Sequence, residues 1–246
     1  MELYITSNLY LRNHSLYYET DSSKIIKLNR SNWHKYLNEY EYEKLSLGWK
    51  RRLKSKLSPK NSLWGIKDCG GEGDCLFLCI EEALKNFMEI DDDSYSVENL
   101  RYLAAKQITD HNFTLILETY KAEVETEEFD GEWDPNSIKS KEDLQKEMMK
   151  CGNSFWGDHI IIQLLAEALE VNFIILNDEN EFATQNFRLQ RIGIELNKSR
   201  KTIFLSYYSN VHYQLVGYFN GDYMQTVFDF NEIPPEMIQV YLEDCG

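Results

Sequence analysis

Hydrophobic and polar residues come in short alternating blocks at the start of the chain. Leu3-Tyr4-Ile5 and Leu9-Tyr10-Leu11 read as extended segments. Ser15-Leu16-Tyr17-Tyr18 and Lys24-Ile25-Ile26-Lys27-Leu28 flank the turn-prone Asp21-Ser22-Ser23 as a hairpin. From Ser31, read as a helix cap, to about Leu57, the spacing of Trp33, Tyr36, Leu37, Tyr40, Leu45 and Leu47 predicts a helix. Pro59 ends that segment. The expected boundary at 58–62 divides the chain into an α+β extension over 1–60 and a larger domain over 61–246.

Beyond the boundary, Trp64-Gly65-Ile66-Lys67 suits an extended segment. Leu76, Phe77, Ile80, Ala83, Leu84, Phe87 and Met88 then recur at helical spacing. A second helix is expected after Ser96, with Val97, Leu100, Leu103, Ala104 and Ile108, and a third from Phe113 to about Glu123. The acid-rich stretch from Glu123 to Trp133, with Gly131 and then Pro135, predicts an exposed loop. Ser140 and Asp143 have capping-box spacing ahead of Leu144 and Met148, and Asp158 is placed as the cap of a helix running to Glu170. The pattern then turns to strands: Val171–Leu176, Phe182–Leu189, Thr202–Tyr208 and His212–Phe219. Asn220-Gly221 reads as a two-residue hairpin turn before a return strand to Phe228, and Pro234-Pro235 opens a terminal helix.

Composition narrows the function classes. A net charge of −15 over 246 residues opposes a general nucleic-acid binder, whose affinity comes from Lys and Arg on phosphates, and suits a partner with a basic face. The basic run Lys50–Lys56 reads as a solvated helix C-terminal turn. No apolar run approaches the ~20 residues that cross a bilayer, and Met1-Glu2-Leu3-Tyr4 lacks the features of a secretory signal. Five cysteines without a Cys-x-x-Cys pair predict reduced thiols in a cytosol-like compartment, with neither a disulfide framework nor a structural zinc site.

The stretch with chemical character is Gly70-Gly71-Glu72-Gly73-Asp74-Cys75. Three glycines in four positions permit backbone that a Cβ would resist. Cys75 follows at the expected N-terminus of a helix, where unpaired N–H groups favour an anion and lower a thiol pKa. The same N–H groups suit a developing oxyanion, and a P-loop is excluded because the Gly-Lys-Ser/Thr ending is missing. Cys79, one turn on, reads as a small buried hydrophobe. Among five histidines, His212 opens a predicted core strand. A helix-mounted cysteine beside such an imidazole supplies the pair that nucleophilic catalysis needs.

Gly71-Glu72-Gly73-Asp74-Cys75-Leu76-Phe77 resembles the Asp-Gly-Asp/Asn-Cys-Leu-Phe loop of the OTU (ovarian tumour) family of cysteine proteases, which are deubiquitinases. Trp156-Gly157-Asp158-His159-Ile160 through Leu169 resembles that family's Trp-Gly helix block. Val171–Ile175 resembles the central strand that follows, and His212-Tyr213 the family's histidine and aromatic pair. The resemblance covers about 62–220, and the chain also resembles divergent OTU proteins of large DNA viruses and intracellular bacteria.

This resemblance implies an α/β, OTU-like cysteine protease fold over 61–246, a small mixed β-sheet between helical layers, with Cys75 as nucleophile and His212 as general base. Gly73 and Asp74 would belong to the oxyanion loop, and Trp156 and Gly157 would lie by the channel for a Gly-Gly tail. For the third member, the family's Asp or Asn positions hold Glu72 and Gln214; Gln214 is preferred as orienter, with Glu72 as loop organiser or alternate and Asn210 a further choice. The implied reaction is hydrolysis of the bond after the C-terminal Gly of ubiquitin or a ubiquitin-like modifier, in the cytoplasm (the host's, for a viral or intracellular bacterial source). It needs neither cofactor nor metal. Two rivals stand beside it: a ubiquitin-binding pseudoenzyme with an impaired triad, and an interaction protein that works through its N-terminal module.

Overall fold

A computed structural model of the protein describes residues 2–54, 62–85, 93–129, 131–179, 186–193, 195–208 and 212–246. The alternating N-terminal blocks form an antiparallel meander of β1 (Glu2–Tyr4), β2 (Leu9–Arg12), β3 (Ser15–Glu19) and β4 (Ile25–Lys27), including the expected hairpin.

Residues 31–57 do not form the single helix that their spacing predicts. They make α1 (Trp33–Tyr36), a 3-10 turn over Leu37–Tyr40, β5 (Tyr42–Lys44) and α2 (Leu47–Arg52), with 55–57 outside the described residues. Glu41 takes the left-handed conformation at φ 62°, which ends the turn. Tyr42–Lys44 then pair with the edge of the larger sheet, where their backbone groups find partners that a helix of mixed polarity would have to supply locally. Ser31 is not the cap: Asn32 stands at that position and its Oδ1 accepts from Asn29 N at 2.7 Å.

The remaining elements follow in order: β6 (Trp64–Lys67), α3 (Cys75–Lys85), α4 (Val97–Lys106), α5 (Phe113–Glu125), α6 (Lys141–Met148), α7 (His159–Ala168), β7 (Val171–Glu179), β8 (Asn186–Arg191), β9 (Lys201–Tyr208), β10 (His212–Phe219), β11 (Met224–Gln225), β12 (Val227–Phe228) and α8 (Pro235–Cys245). The helix starts read from sequence are capped as expected: Asn99 N donates to Ser96 Oγ at 3.4 Å, Asp143 N to Ser140 Oγ at 3.2 Å, and Ile161 N to Asp158 Oδ1 at 2.9 Å. Phe87 and Met88, expected to extend α3, and Phe182, expected to open the strand that contains β8, lie outside the described residues.

The larger sheet runs β5-β6-β10-β9-β7-β8, antiparallel except for the β7–β9 pair. Alternate residues of each strand enter different cores. Phe173, Ile175, Leu205 and Leu215 pack with Phe77 and Ile80 of α3, Leu100 of α4 and Leu165 of α7. Ile174, Phe204 and Val216 pack on the other face with Trp64, Trp49 of α2, and Met237 and Val240 of α8. The mixed sheet thus lies between helical layers, the α/β arrangement that the family resemblance implies.

A third core joins Leu9, Leu16, Trp33 and Tyr42 to Phe219 and Met224 at the far end of β10. There Asp222 Oδ1 accepts from Ser15 Oγ at 2.7 Å and pairs with Lys27 Nζ at 2.9 Å. Asn220-Gly221 is not a two-residue turn. Phe219 faces Met224, so four residues connect the strands, and Asn220 Oδ1 closes the longer turn by accepting from Asp222 N and Tyr223 N at 3.0 and 3.1 Å. Residues on both sides of 58–62 therefore share one sheet and two cores.

Candidate active site

Cys75 is the first residue of α3 and is 9% exposed. The N–H groups of Tyr213, Leu76 and Cys75 itself face its sulfur and favour the thiolate, but burial outweighs them and pushes the thiol pKa up. The lowered pKa expected from the helix N-terminus is therefore not what the structure has: the carboxylate of Asp68 adds to the upward push, and desolvation is the largest influence. Cys79 is fully buried, its thiol directed at the carbonyl of Tyr213 at 3.5 Å, as befits a packing residue. Both thiols thus lie against the backbone of Tyr213, the neighbour of His212, because α3 packs along β10.

His212 opens β10 opposite Tyr208 of β9. Its Nε2 lies 3.1 Å from Asp68 Oδ1, so the carboxylate accepts from Nε2–H, which leaves Nδ1 unprotonated in the neutral ring. The His212 side chain is 25% exposed and that of Asp68 58%, so this pair works in partly solvated surroundings. Asp68 is delivered by the end of β6. Lys67, just before it, is buried with Nζ 2.8 Å from Glu82 Oε1 of α3 and 3.3 Å from the centre of the Tyr40 ring, while Tyr40 OH donates to the same oxygen at 2.6 Å. A cation held between a carboxylate and an aromatic face pins the strand end at the mouth of the sheet.

Gln214 sits two residues along β10 and lines a cleft of about 790 Å³ with His212, Asp68 and Gly71, to which the N-terminal segment adds Asn38, Glu41 and Glu43. Among the described residues the ring bonds to Asp68, and Gln214 shares only the cleft wall. Glu72, left-handed at φ 57°, lines a separate depression with Ser96 and Cys151. Asn210 lies outside the described residues.

The glycine loop turns tightly around Gly73, at φ +88°. A Cβ there would come within 2.3 Å of Gly152 O, so only glycine permits this loop to lie against the 148–155 segment. Asp74 N donates back to Gly71 O at 3.2 Å, which commits that amide to the loop. Asp74 itself receives Arg101 Nε at 2.9 Å and Gly152 N at 2.8 Å on its carboxylate. Gly157 meets Leu76, whose Cδ2 would be 2.5 Å from an added Cβ, and Trp156, 36% exposed, lines a depression with Tyr207 and Tyr213. Among the described residues no group of three or more His, Cys, Asp or Glu is arranged to hold a metal ion, and no helix is long and apolar enough to cross a membrane.

Sequence reasoning missed Asp68 and Arg101. Asp68 lies 144 positions from its partner, outside every block of motif residues. Arg101 did carry a signal, a cation one position from Leu100 on the apolar face of its helix.

Known proteins share features with this chain. The OTU domain of OTUD1 matches at 16% identity, covering 76% of this chain and 92% of its own, with a TM-score of 0.40. An OTU deubiquitinase from Wolbachia pipientis wMel, bound to ubiquitin, matches at 15% identity over 65% of this chain and 98% of its own, TM-score 0.44. The viral OTU domain protease of Dera Ghazi Khan virus matches at 14% identity over 62% of this chain and 80% of its own, TM-score 0.36. A comparison with curated proteins gives no match. The sequence model of the OTU-like cysteine proteases matches residues 70–218, from the glycine loop through the strand of His212 and across more than half of the chain. The chain belongs to the OTU-like cysteine protease family.

Proposed function

We propose that the protein is a thiol-dependent deubiquitinase, cleaving the isopeptide or peptide bond after the C-terminal Gly of ubiquitin or a ubiquitin-like modifier. The observation that carries this reading is the pairing of His212 Nε2 with Asp68 in a family member whose Cys75 sulfur lies against the residue next to that histidine. The acidic chain, at −15, suits a modifier with a basic face and tail.

Cys75, protonated at rest, gives its proton to His212 Nδ1 as the sulfur attacks the Gly carbonyl carbon. The resulting oxyanion is held by the N–H groups of Gly73 and Cys75. Asp68 keeps the ring in the Nε2–H tautomer and stabilises the imidazolium, the role that sequence alone assigns to Gln214 or Glu72. The imidazolium then protonates the departing lysine amine, leaving a thioester on Cys75. His212 next takes a proton from water, whose attack on the thioester releases the Gly carboxylate and restores the thiol.

A ubiquitin probe carrying a C-terminal electrophile should label the wild type and leave Cys75→Ala unlabelled, with intact mass as the readout. One observation favours a second reading, a ubiquitin-binding pseudoenzyme: the nucleophile is buried and its thiol pKa raised. Binding of unmodified ubiquitin without labelling would establish that reading, and failure of both would remove ubiquitin as the partner.

A further inference from the structure

We propose that Arg101 is a positioning residue for the oxyanion loop, clamping it to the segment that follows α6 so that the Gly73 and Cys75 N–H groups stay aimed at the reacting carbonyl; this rests on the deubiquitinase reading. Arg101 stands on α4 and its side chain is fully buried. Its guanidinium spreads over two segments. Nε donates to Asp74 Oδ1 at 2.9 Å, and Nη2 donates to the same oxygen and to Gly73 O at 3.4 Å. On the other side Nη1 reaches the carbonyl of Met148, the last residue of α6, at 3.2 Å, and Nη2 reaches Phe155 O in the segment that follows at 2.9 Å. Asp74 closes the circuit by accepting from Gly152 N at 2.8 Å.

Three of these four acceptors lie one or two residues from a residue of the proposed site; the fourth, Met148 O, anchors the guanidinium to the end of α6. Gly73 and Asp74 immediately precede Cys75, and Phe155 immediately precedes the Trp156-Gly157 pair that packs on Leu76. The guanidinium also lies over the Phe77 ring, 4.1 Å from its centre, so α3 is held from the same point. A lysine ammonium is a point charge on a flexible stem and has no planar fork to hold four acceptors on two segments. Burial adds the second argument. An ion pair removed from water is retained at a desolvation cost, and a loop held only by apolar packing would need no buried charge. Arg101 makes the loop's position a matter of directed hydrogen bonds, and geometry is what an oxyanion site requires.

The test compares wild type with Arg101→Lys in the full chain, with folding checked by thermal melting. Four quantities are read: kcat and KM on a ubiquitin C-terminal amide, the iodoacetamide rate at Cys75 resolved by peptide mass from that of the exposed Cys151, and amide exchange at Asp74 and Gly152. The proposal expects kcat to fall about 10- to 100-fold with KM within about twofold, because misaimed donors lose transition-state stabilisation and little ground-state binding. It also expects an unchanged alkylation rate and faster exchange at both amides. A kcat within twofold of wild type, or an alkylation rate that falls in step with kcat, overturns it. If Arg101→Lys does not fold, Asp74→Asn, which retains an acceptor for Gly152 N–H, is judged by the same criteria. If wild type itself neither labels nor turns over, the deubiquitinase reading fails, and exchange alone decides the clamp: equal rates in wild type and variant overturn it, faster exchange in the variant upholds it.

Discussion

His212 has Nε2 tied to the Asp68 carboxylate, and that bond fixes the tautomer of the neutral ring. The Asp68 carboxylate is more than half exposed, so water shares the work of stabilising an imidazolium, and its removal should cost less than the ~10⁴-fold of a buried triad aspartate. Asp68→Ala is expected to lower kcat on a ubiquitin C-terminal amide about 10- to 100-fold, and Gln214→Ala to stay within about threefold, because the neutral side chain shares only the cleft wall. Steady-state kinetics on the two variants decide the matter. A larger loss in Gln214→Ala than in Asp68→Ala would return the orienting role to the strand neighbour. The sequence argument favoured Gln214 because alternate residues of a strand face the same side, which holds here. It could not see that the end of β6 brings a full carboxylate to the same ring.

At the scale of the element, α3 places two opposing influences on one sulfur. Its N-terminal amides favour a thiolate, while packing against β10 removes the thiol from water, and the balance lies with burial. A raised pKa keeps the thiol form populated to higher pH, so reactivity that follows the thiolate must lag behind an ordinary cysteine. Alkylation of Cys75 by iodoacetamide should keep climbing past pH 9 and show no plateau between pH 5 and 8. A plateau in that range would mean a resting thiolate–imidazolium pair and sink the general-base mechanism drawn above. Elements were legible wherever one local period governs them: α4, α6 and α7 begin after Ser96, Ser140 and Asp158 as read from sequence, α3 begins at Cys75, and β10 has the bounds that its pattern predicts. The stretch 31–57 was not legible, because the pairing of Tyr42–Lys44 with β6 is a long-range choice that overrides helical spacing. Arg101 was legible in principle: on α4 it falls four residues from Val97 and three from Ala104, positions of the apolar stripe, and a cation there signals a buried partner.

At the scale of the whole molecule, the first 54 residues behave as part of the frame of the fold. Leu37 closes the core that reaches the end of β10, and Leu45, Trp49 and Leu53 close the core beneath Phe204 and Val216. β5 covers the edge of β6, and Tyr40 faces the buried Lys67 that fixes Asp68. Burying a leucine is worth about 1.5–3 kcal/mol, so three leucines alone amount to a large part of the ~5–15 kcal/mol by which a domain is stable. Their loss would also bare an unpaired strand edge carrying Trp64 and Ile66, a template for aggregation. A chain beginning at residue 61 is therefore expected to be insoluble or to melt without a cooperative transition, even though it contains every residue matched by the family model. Thermal unfolding followed by circular dichroism tests this directly. A cooperative melt within a few degrees of the full chain, with Cys75 still labelled by the ubiquitin probe, would show that 1–60 is a separable appendage. Failure to fold would instead make the N-terminal segment the reason that His212 and Asp68 meet, since the strand end that carries Asp68 is held in place by Tyr40 and Tyr42 from outside the matched region.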